Sequence, residues 1–314
     1  MYYVVCNPAS KSGKGRKIWK KAKAILKREG EEYRIYHTSR TRNATVVAAA
    51  VLEKDTSDEI KLMVLGGDGT VNEVLQAFRE KDYDRVCLYY LPTGSSNDLA
   101  RDLGYSSSVE ENLMHILKSG AYRMMDIGQV TYNASETLGY TKRYFAVSCG
   151  MGFDASVCHE ALNSESKNVL NKFGLGKLSY GKIAINQLLG IEKAHITVTD
   201  DEGITSEYEN AYFAAVMNHR YQGGGFMFCP EASDSDGKLD ICIANNISKM
   251  RVLYTLPYCM KGKHVGMKGI SIGRSAEYRI ISDIPLYVHT DGEVKTKATD
   301  ITVKCMAARI KFAV

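Results

Sequence analysis

The sequence predicts an α/β domain, with a parallel sheet and flanking helices, followed by an antiparallel β-sandwich domain. Three observations carry that prediction. Apolar strand-like runs alternate with helix-period segments as far as Asp126. Glycine-rich turns close several of those runs. Beyond Asp126, short strand-like runs dominate at hairpin spacing. The division falls at 1–126 and 127–314 with no Pro/Gly/Ser linker, and the last strand is able to return to the first domain.

The elements follow in order. Residues 2–6 form an apolar run, after which Ile18, Ala22, Ile25 and Leu26 share one helical face. Residues 33–37 read as a second strand and 44–52 as a helix. Residues 60–65 form a third strand that ends in Gly66-Gly67-Asp68-Gly69, with a helix over 71–78. Residues 86–91 form a fourth strand that ends in Pro92-Thr93-Gly94, with another helix starting near Asn97. In such sheets ligands bind at the carboxyl ends of the strands, where these turns fall. The second domain is read as strands over 144–148, 194–199, 211–217, 239–244, 278–282, 286–290, 301–305 and 310–314. Helices over 169–189 and 248–260 interrupt them.

The composition narrows the class. A 45% hydrophobic and 25% charged chain of 314 residues suits two folded domains of ordinary size. The net charge of +5 is mild, and no aromatic residues interleave with a basic run, so nucleic acid is not an expected partner. No apolar run is long enough to span a bilayer, and the N-terminus lacks a secretory pattern. Eight cysteines are scattered without metal-ligand spacing, which suits reduced thiols in a cytoplasmic protein.

Three turns carry candidate chemistry. Gly66-Gly67-Asp68-Gly69-Thr70-Val71-Asn72 runs from a strand into a helix, where glycines let backbone N–H groups approach phosphate. Asp68 would hold magnesium or a water on it; the bland alternative is a tight turn whose Asp caps the helix. Pro92-Thr93-Gly94-Ser95-Ser96-Asn97-Asp98 offers hydroxyls and a helix start as a second anion site, or a plain N-cap by Ser96 or Asn97. Asn7-Pro8-Ala9-Ser10-Lys11-Ser12-Gly13-Lys14-Gly15 is not a P-loop, because Pro8 and Gly15 occupy positions that motif needs as Gly and Ser/Thr. Its amides and hydroxyls remain candidates for phosphate, with a basic surface turn as the alternative.

The ordered set NPASKSG, GGDGTVNEV, PTGSSNDLAR, MDIG, SDGKLD and DGE resembles the diacylglycerol kinase catalytic-domain family, which includes sphingosine kinases and bacterial lipid kinases. The likeness runs from Asn7 to Glu293. It implies a first domain similar to that of NAD kinase and a C-terminal β-sandwich. It also implies ATP and Mg2+ as cofactors and a lipid hydroxyl, diacylglycerol by default, as acceptor. By that resemblance Asn7, Pro8, Ala9, Ser10, Ser12, Gly13, Thr38, Gly66, Gly67, Asp68, Gly69, Thr70, Asn72 and Ser95 contact ATP. Glu293 is the general base. Asp236, with the backbone oxygens of Ser233 and Lys238, holds a structural magnesium that Asp126 and Asp68 join through waters. Ser95 departs from the Thr of many relatives but keeps the hydroxyl.

The rival readings are a kinase of a soluble polyol or NAD, and a nucleotide-binding regulator without activity. The joint presence of Asp68, Asp236 and Glu293 speaks against the regulator. A lipid acceptor implies peripheral contact with the inner membrane surface. Residues 249–274 hold six Lys or Arg and no acid among apolar and tyrosine side chains, and the 169–189 helix carries Lys172, Lys177 and Lys182. Both segments suit either bilayer docking or a solvated basic face over a core. A homodimer through exposed strand edges is open.

Overall fold

The computed structural model describes residues 1–39, 41–135, 142–163 and 176–314. The chain divides into two compact units, Met1–Ile127 with Ala307–Val314, and Gly128–Met306.

In the first unit the strands are β1 (Tyr2–Cys6), β2 (Tyr33–His37), β3 (Ile60–Gly66) and β4 (Val86–Pro92). They pair in parallel in the order β2-β1-β3-β4, and Lys311 and Phe312 of the C-terminal strand add to β4, also in parallel. Helices α1 (Ser10–Gly13) and α2 (Gly15–Arg28) follow β1, α3 (Ala44–Lys54) follows β2 and α4 (Asp68–Leu75) follows β3. Helix α5 (Asp82–Arg85) precedes β4; α6 (Asp98–Asp102) and α7 (Val109–Ser119) follow it. Because the connections are helical crossovers, both sheet faces are covered and the inner strands β1, β3 and β4 are largely apolar, whereas β2 at the edge keeps Arg34 and His37 exposed. Val4, Cys6, Met63, Leu65, Tyr89 and Leu91 pack with Ala22, Ile25, Leu26, Leu113 and Ile116 of α2 and α7. The intervening Val5, Leu62, Val64, Leu88 and Tyr90 are buried as well. Burial pushes the Cys6 thiol up to about 12, so it behaves as a core side chain.

The second unit is antiparallel. Strand β5 (Tyr122–Ser135) enters it from the first unit and pairs with β6 (Lys142–Phe145). Then come β7 (Ser148–Gly152), α8 (Phe153–Asn163), α9 (Gly176–Gly190), β8 (Ala194–Asp200), β9 (Thr205–Met217) and β10 (Leu239–Asn245). Helix α10 (Lys249–Cys259), β11 (Ile270–Ser275), β12 (Glu277–Thr290) and β13 (Glu293–Ala313) complete the chain. The order is β11-β10-β9-β7-β12-β13, with β8 paired to both β9 and β12. Period-two alternation splits β9. Ala214 and Val216 face a core shared with Val130, Phe145, Ile280, Val288 and Ile301, whereas Phe213, Ala215 and Met217 pack with Leu188 of α9 and Val252 of α10.

Several expectations need correction. The strand expected over 144–148 is two strands, because the amides of Ala146, Val147 and Ser148 turn inward onto the Asp291 carboxylate at 2.8–3.0 Å. The strands expected over 301–305 and 310–314 are one, carried past an irregularity at Ala308, whose φ is 45°. The expected pair 278–282 and 286–290 is likewise one strand with a register shift between Ile281 and Leu286. Strands β5 and β11 and helices α7 and α8 were not among the expected elements. β5 runs through the expected boundary at 126, which is why no linker marks it. Of the helix expected over 169–189, residues 169–175, with Lys172, lie outside the described residues.

Candidate active site

The first unit gathers three turns at the carboxyl ends of β1, β3 and β4. The amide of Asn7 donates to Leu65 O (2.9 Å), that of Thr93 to Gly66 O (2.7 Å), and that of Thr38 to Cys6 O (2.9 Å). Side chains lock the turns further: Asn7 Nδ2 donates to Thr70 Oγ1 at 3.2 Å, and the Ser10 and Thr93 hydroxyls lie 2.8 Å apart. Gly67 and Gly94 touch backbone to backbone. A Cβ on Gly94 would stand 2.6 Å from Gly67 Cα, so only glycine permits this approach.

Asp68 opens α4, with Gly67 as its cap. Its carboxylate takes the Asp98 amide at 2.8 Å and the Tyr90 hydroxyl at 3.2 Å. Tyr90 is wholly buried; burial and then the Asp68 charge push its phenol well above the usual range, so it stays a donor. Asp98, itself buried, holds Arg101 at 2.8 Å. These bonds occupy one amide of the 92–98 turn. Helix α6 has only five residues, and its first amide is satisfied by the protein's own Asp68 carboxylate. Ser95 and Ser96 are left exposed beside it.

The first turn also differs from expectation. The amides of Ala9, Ser10 and Gly13 donate to Asn7 Oδ1, Asn7 O and Ala9 O, and the Ser10 hydroxyl donates to Asn7 O. They shape the turn rather than wait for phosphate. Of Ser12 only the backbone is described. The turn also presents the side chains of Lys11 and Lys14, both exposed, as the alternative of a basic surface turn has it. Asn72 is fully buried, and Gln76 Nε2 donates to its backbone carbonyl at 2.9 Å. Gly66 and Thr70 are buried and fix the turn from within, whereas Pro8, Gly67 and Gly69 are half-exposed.

The second unit carries the remaining candidates. Thr290-Asp291-Gly292-Glu293 is a two-residue hairpin between β12 and β13, with φ of 50° at Asp291 and 84° at Gly292. Both central residues are left-handed, the conformation that Asp-Gly tolerates in hairpins. Glu293 is half-exposed, with Lys295 Nζ 3.4 Å away. Beneath the turn, the Gly292 amide donates to His289 Nδ1 at 3.2 Å. A backbone N–H can only donate, so the proton of neutral His289 resides on Nε2, 3.0 Å from Asp154 Oδ2. Gln222 Nε2 donates to the same oxygen at 3.1 Å. Asp154, Gln222 and His289 did not stand out in the sequence; Asp291 did so only as part of the Asp-Gly-Glu signal that pointed to the turn.

Among the described residues no three His, Cys, Asp or Glu gather as metal ligands. Asp236 lies in an exposed turn, where its Oδ1 accepts the Lys238 amide at 3.0 Å and its Oδ2 is 4.0 Å from Arg274 Nη1. The Ser233 hydroxyl lies 3.3 Å from that of Ser235. Arg274 is bound more closely to Asp240, at 3.0 Å. Burial raises the Asp240 carboxyl above its ordinary value, with Arg274 opposing. Asp126 is buried in the first unit and accepts the Ala308 amide at 2.6 Å, which ties β5 to the returning C-terminal strand.

The model of the diacylglycerol kinase catalytic domain matches residues 1–130, and that of the YegS C-terminal NAD kinase beta sandwich-like domain matches residues 147–313. The chain belongs to the diacylglycerol kinase catalytic-domain family. Among its relatives in this family, YtlR of Bacillus subtilis (strain 168), which carries a lipid kinase name, is 27% identical over 93% of each chain. A diacylglycerol kinase of Mycobacterium tuberculosis (strain ATCC 25618 / H37Rv) is 27% identical over 91% of this chain and 86% of its own. The fold matches a diacylglycerol kinase structure from Bacillus anthracis str. Sterne with a TM-score of 0.67 and 19% identity, over 99% of this chain and 96% of that one. Yeast NADH kinase shares the fold at a TM-score of 0.51 and 10% identity, over 99% of this chain and 82% of its own.

Proposed function

We propose that this member of the diacylglycerol kinase family transfers the γ-phosphoryl group of ATP to a lipid hydroxyl, with diacylglycerol as the first acceptor to test. One observation carries the nucleotide part: the interlocked turns at the ends of β1, β3 and β4, where Gly67 and Gly94 meet backbone to backbone. Phosphoryl transfer needs positioning and charge neutralisation more than covalent help. Half-exposed Gly67, Asp68 and Gly69 at the N-terminus of α4, with exposed Lys11 and Lys14, supply dipole and charge for a polyphosphate. Thr38 and Ser95 flank these turns as further contacts, Ser95 with an exposed hydroxyl. Glu293 takes the proton from the acceptor hydroxyl as that oxygen bonds to the γ-phosphorus and the bond to the leaving ADP oxygen breaks. The Asp291–Gly292 turn, braced on His289, sets where the Glu293 side chain starts.

Asp236, with the carbonyl oxygens of Ser233 and Lys238, is a hard-oxygen set of the kind magnesium accepts with its remaining positions on water. The Arg274 contact at 4.0 Å leaves Asp236 less firmly paired than Asp240. Magnesium held there would be structural; a separate magnesium accompanying ATP would supply neutralisation of phosphate charge.

The test is label transfer from γ-phosphate-labelled ATP to lipids in mixed micelles, with polyols and NAD alongside. Labelled phospholipid is the expected product; label only in a soluble product would overturn the lipid acceptor. Glu293→Ala should lower transfer about a hundredfold or more while ATP binding is kept. Equal loss of binding would remove Glu293 from the role of base.

A further inference from the structure

Helix α10 buries Val252, Thr255 and Cys259. Its opposite side shows Met250, Tyr254 and Tyr258, which are 73%, 52% and 38% exposed at successive i, i+4 positions. Met260 and Val265 extend this surface just past the helix at 54% and 50%. The aromatic pair is ordered: the ring centroids are 5.2 Å apart, the hydroxyls 2.9 Å apart, and the Arg251 guanidinium lies 5.1 Å from the Tyr254 ring centre. Lys249 Nζ donates to Leu189 O at 2.5 Å and joins α9 to this surface. On α9, Lys182, Ile185 and Leu189 are exposed at i, i+3 and i+7, the last two at 46% and 64%.

Along these two segments the charge has one sign. Neither α9 nor residues 249–274 contain an Asp or Glu; Glu192, just past α9, is the next acid along the chain. Arg251, Lys261, Lys263, Lys268 and Lys182 are exposed, whereas Arg274 is engaged by Asp240. A helix whose solvent side is Met, Tyr and Tyr rimmed with cations inverts the pattern of a water-facing helix. Tyrosine suits the bilayer interface, where its ring meets acyl chains and its hydroxyl meets headgroups.

We infer that the exposed faces of α9 and α10, with the turn to Lys268, dock on an anionic lipid bilayer. The apolar and tyrosine side chains enter the headgroup boundary and the lysines and Arg251 pair with lipid phosphates. A second copy of this chain is a poorer occupant, because a two-fold contact of this surface with itself would oppose its own cations. The biological sense of docking rests on the lipid-kinase reading; the binding itself does not.

The test is co-sedimentation of the full chain with phosphatidylcholine vesicles, with and without phosphatidylglycerol. At low salt the chain should pellet with the anionic vesicles and be released at high salt. Each cation near an anionic surface is worth about fivefold in partitioning, so Lys261→Glu with Lys263→Glu should weaken it by at least about 25-fold. Met250→Ser with Tyr254→Ser should also leave the chain in the supernatant, with unchanged circular dichroism because both sites are exposed. Failure of the wild type to pellet, or pelleting of the variants like wild type, would overturn the docking surface. So would a self-association without vesicles that these variants abolish. Phosphorylation of a soluble short-chain diacylglycerol separates the two readings. The variants should retain the wild-type rate on it, and no product from wild type would sink the lipid-kinase reading while the sedimentation result stands.

Discussion

Asp291 and Glu293 sit one residue apart and do opposite things. Glu293 stays half-exposed with Lys295 as its neighbour, while Asp291 spends its carboxylate on the amides of Ala146, Val147 and Ser148. Ala146 and Val147 form the bend between β6 and β7, and Ser148 opens β7. Removing a charged acceptor from such donors costs about 2–3 kcal/mol. Asp291→Ala should therefore destabilise the second unit by about that much in urea denaturation, with a further loss because alanine tolerates the left-handed φ poorly. Asp291→Asn keeps one acceptor oxygen and tolerates that backbone, so it should fall between alanine and wild type. Equal stability of all three would mean the amides find other partners, and the hairpin would then owe its place to His289 and the strand register.

At the scale of the element, the glycine turns were legible because strand, glycine and helix follow one another within a few residues. The residues that lock the turns were less so. Thr93 and Ser10 meet across a sequence separation of 83, and the capping of α6 by Asp68 spans 30. Local pattern cannot report such pairs; it left the 92–98 turn open between an anion site and a plain N-cap, and gave no sign that the Asp68 carboxylate takes the Asp98 amide. Likewise β7, with Cys149, Gly150 and Gly152, has too many small residues to read as a strand, although all five of its residues are buried. The long β5 escaped because it joins two units and its pattern changes at Asp126. The contact of Gly67 with Gly94 gives a prediction at this scale. Gly94→Ala places its Cβ 2.6 Å from Gly67 Cα and 2.7 Å from Asn97 Oδ1, so the turns must separate. Overpacking of this kind costs about 1–3 kcal/mol. A lower melting temperature with a larger loss of ATP affinity is expected from calorimetry and equilibrium binding. Unchanged affinity would detach the turn contact from nucleotide binding.

Across the whole molecule, each unit carries its own acid-sensitive carboxylate away from the proposed chemistry. In the first unit Asp55 accepts from the Ser57 hydroxyl and amide at 2.6 and 2.9 Å and from the Tyr3 hydroxyl at 2.6 Å, and these bonds lower its pKa. In the second, Asp300 is lowered chiefly by Arg279, at 2.7 Å, with Asn133 assisting against the cost of burial. A carboxyl lowered in the folded state stabilises it above the ordinary value of 3.8, and that contribution disappears as pH falls through the folded value. Asp240 has the opposite sign. Burial raises it, so its contribution is full below 3.8 and lost as pH rises through its folded value. Acid should therefore weaken the bonds at Asp55 and Asp300 while relieving the charge at Asp240. Urea denaturation of Asp300→Asn and Asp55→Asn should show lower stability than wild type at about pH 7 and a smaller further loss on going to about pH 3. Asp240→Asn should show the reverse trend, with its stability relative to wild type improving as pH rises. Parallel pH profiles for wild type and all three variants would mean that these carboxylates titrate alike in folded and unfolded chains, and the hydrogen bonds that set them apart would carry no acid sensitivity.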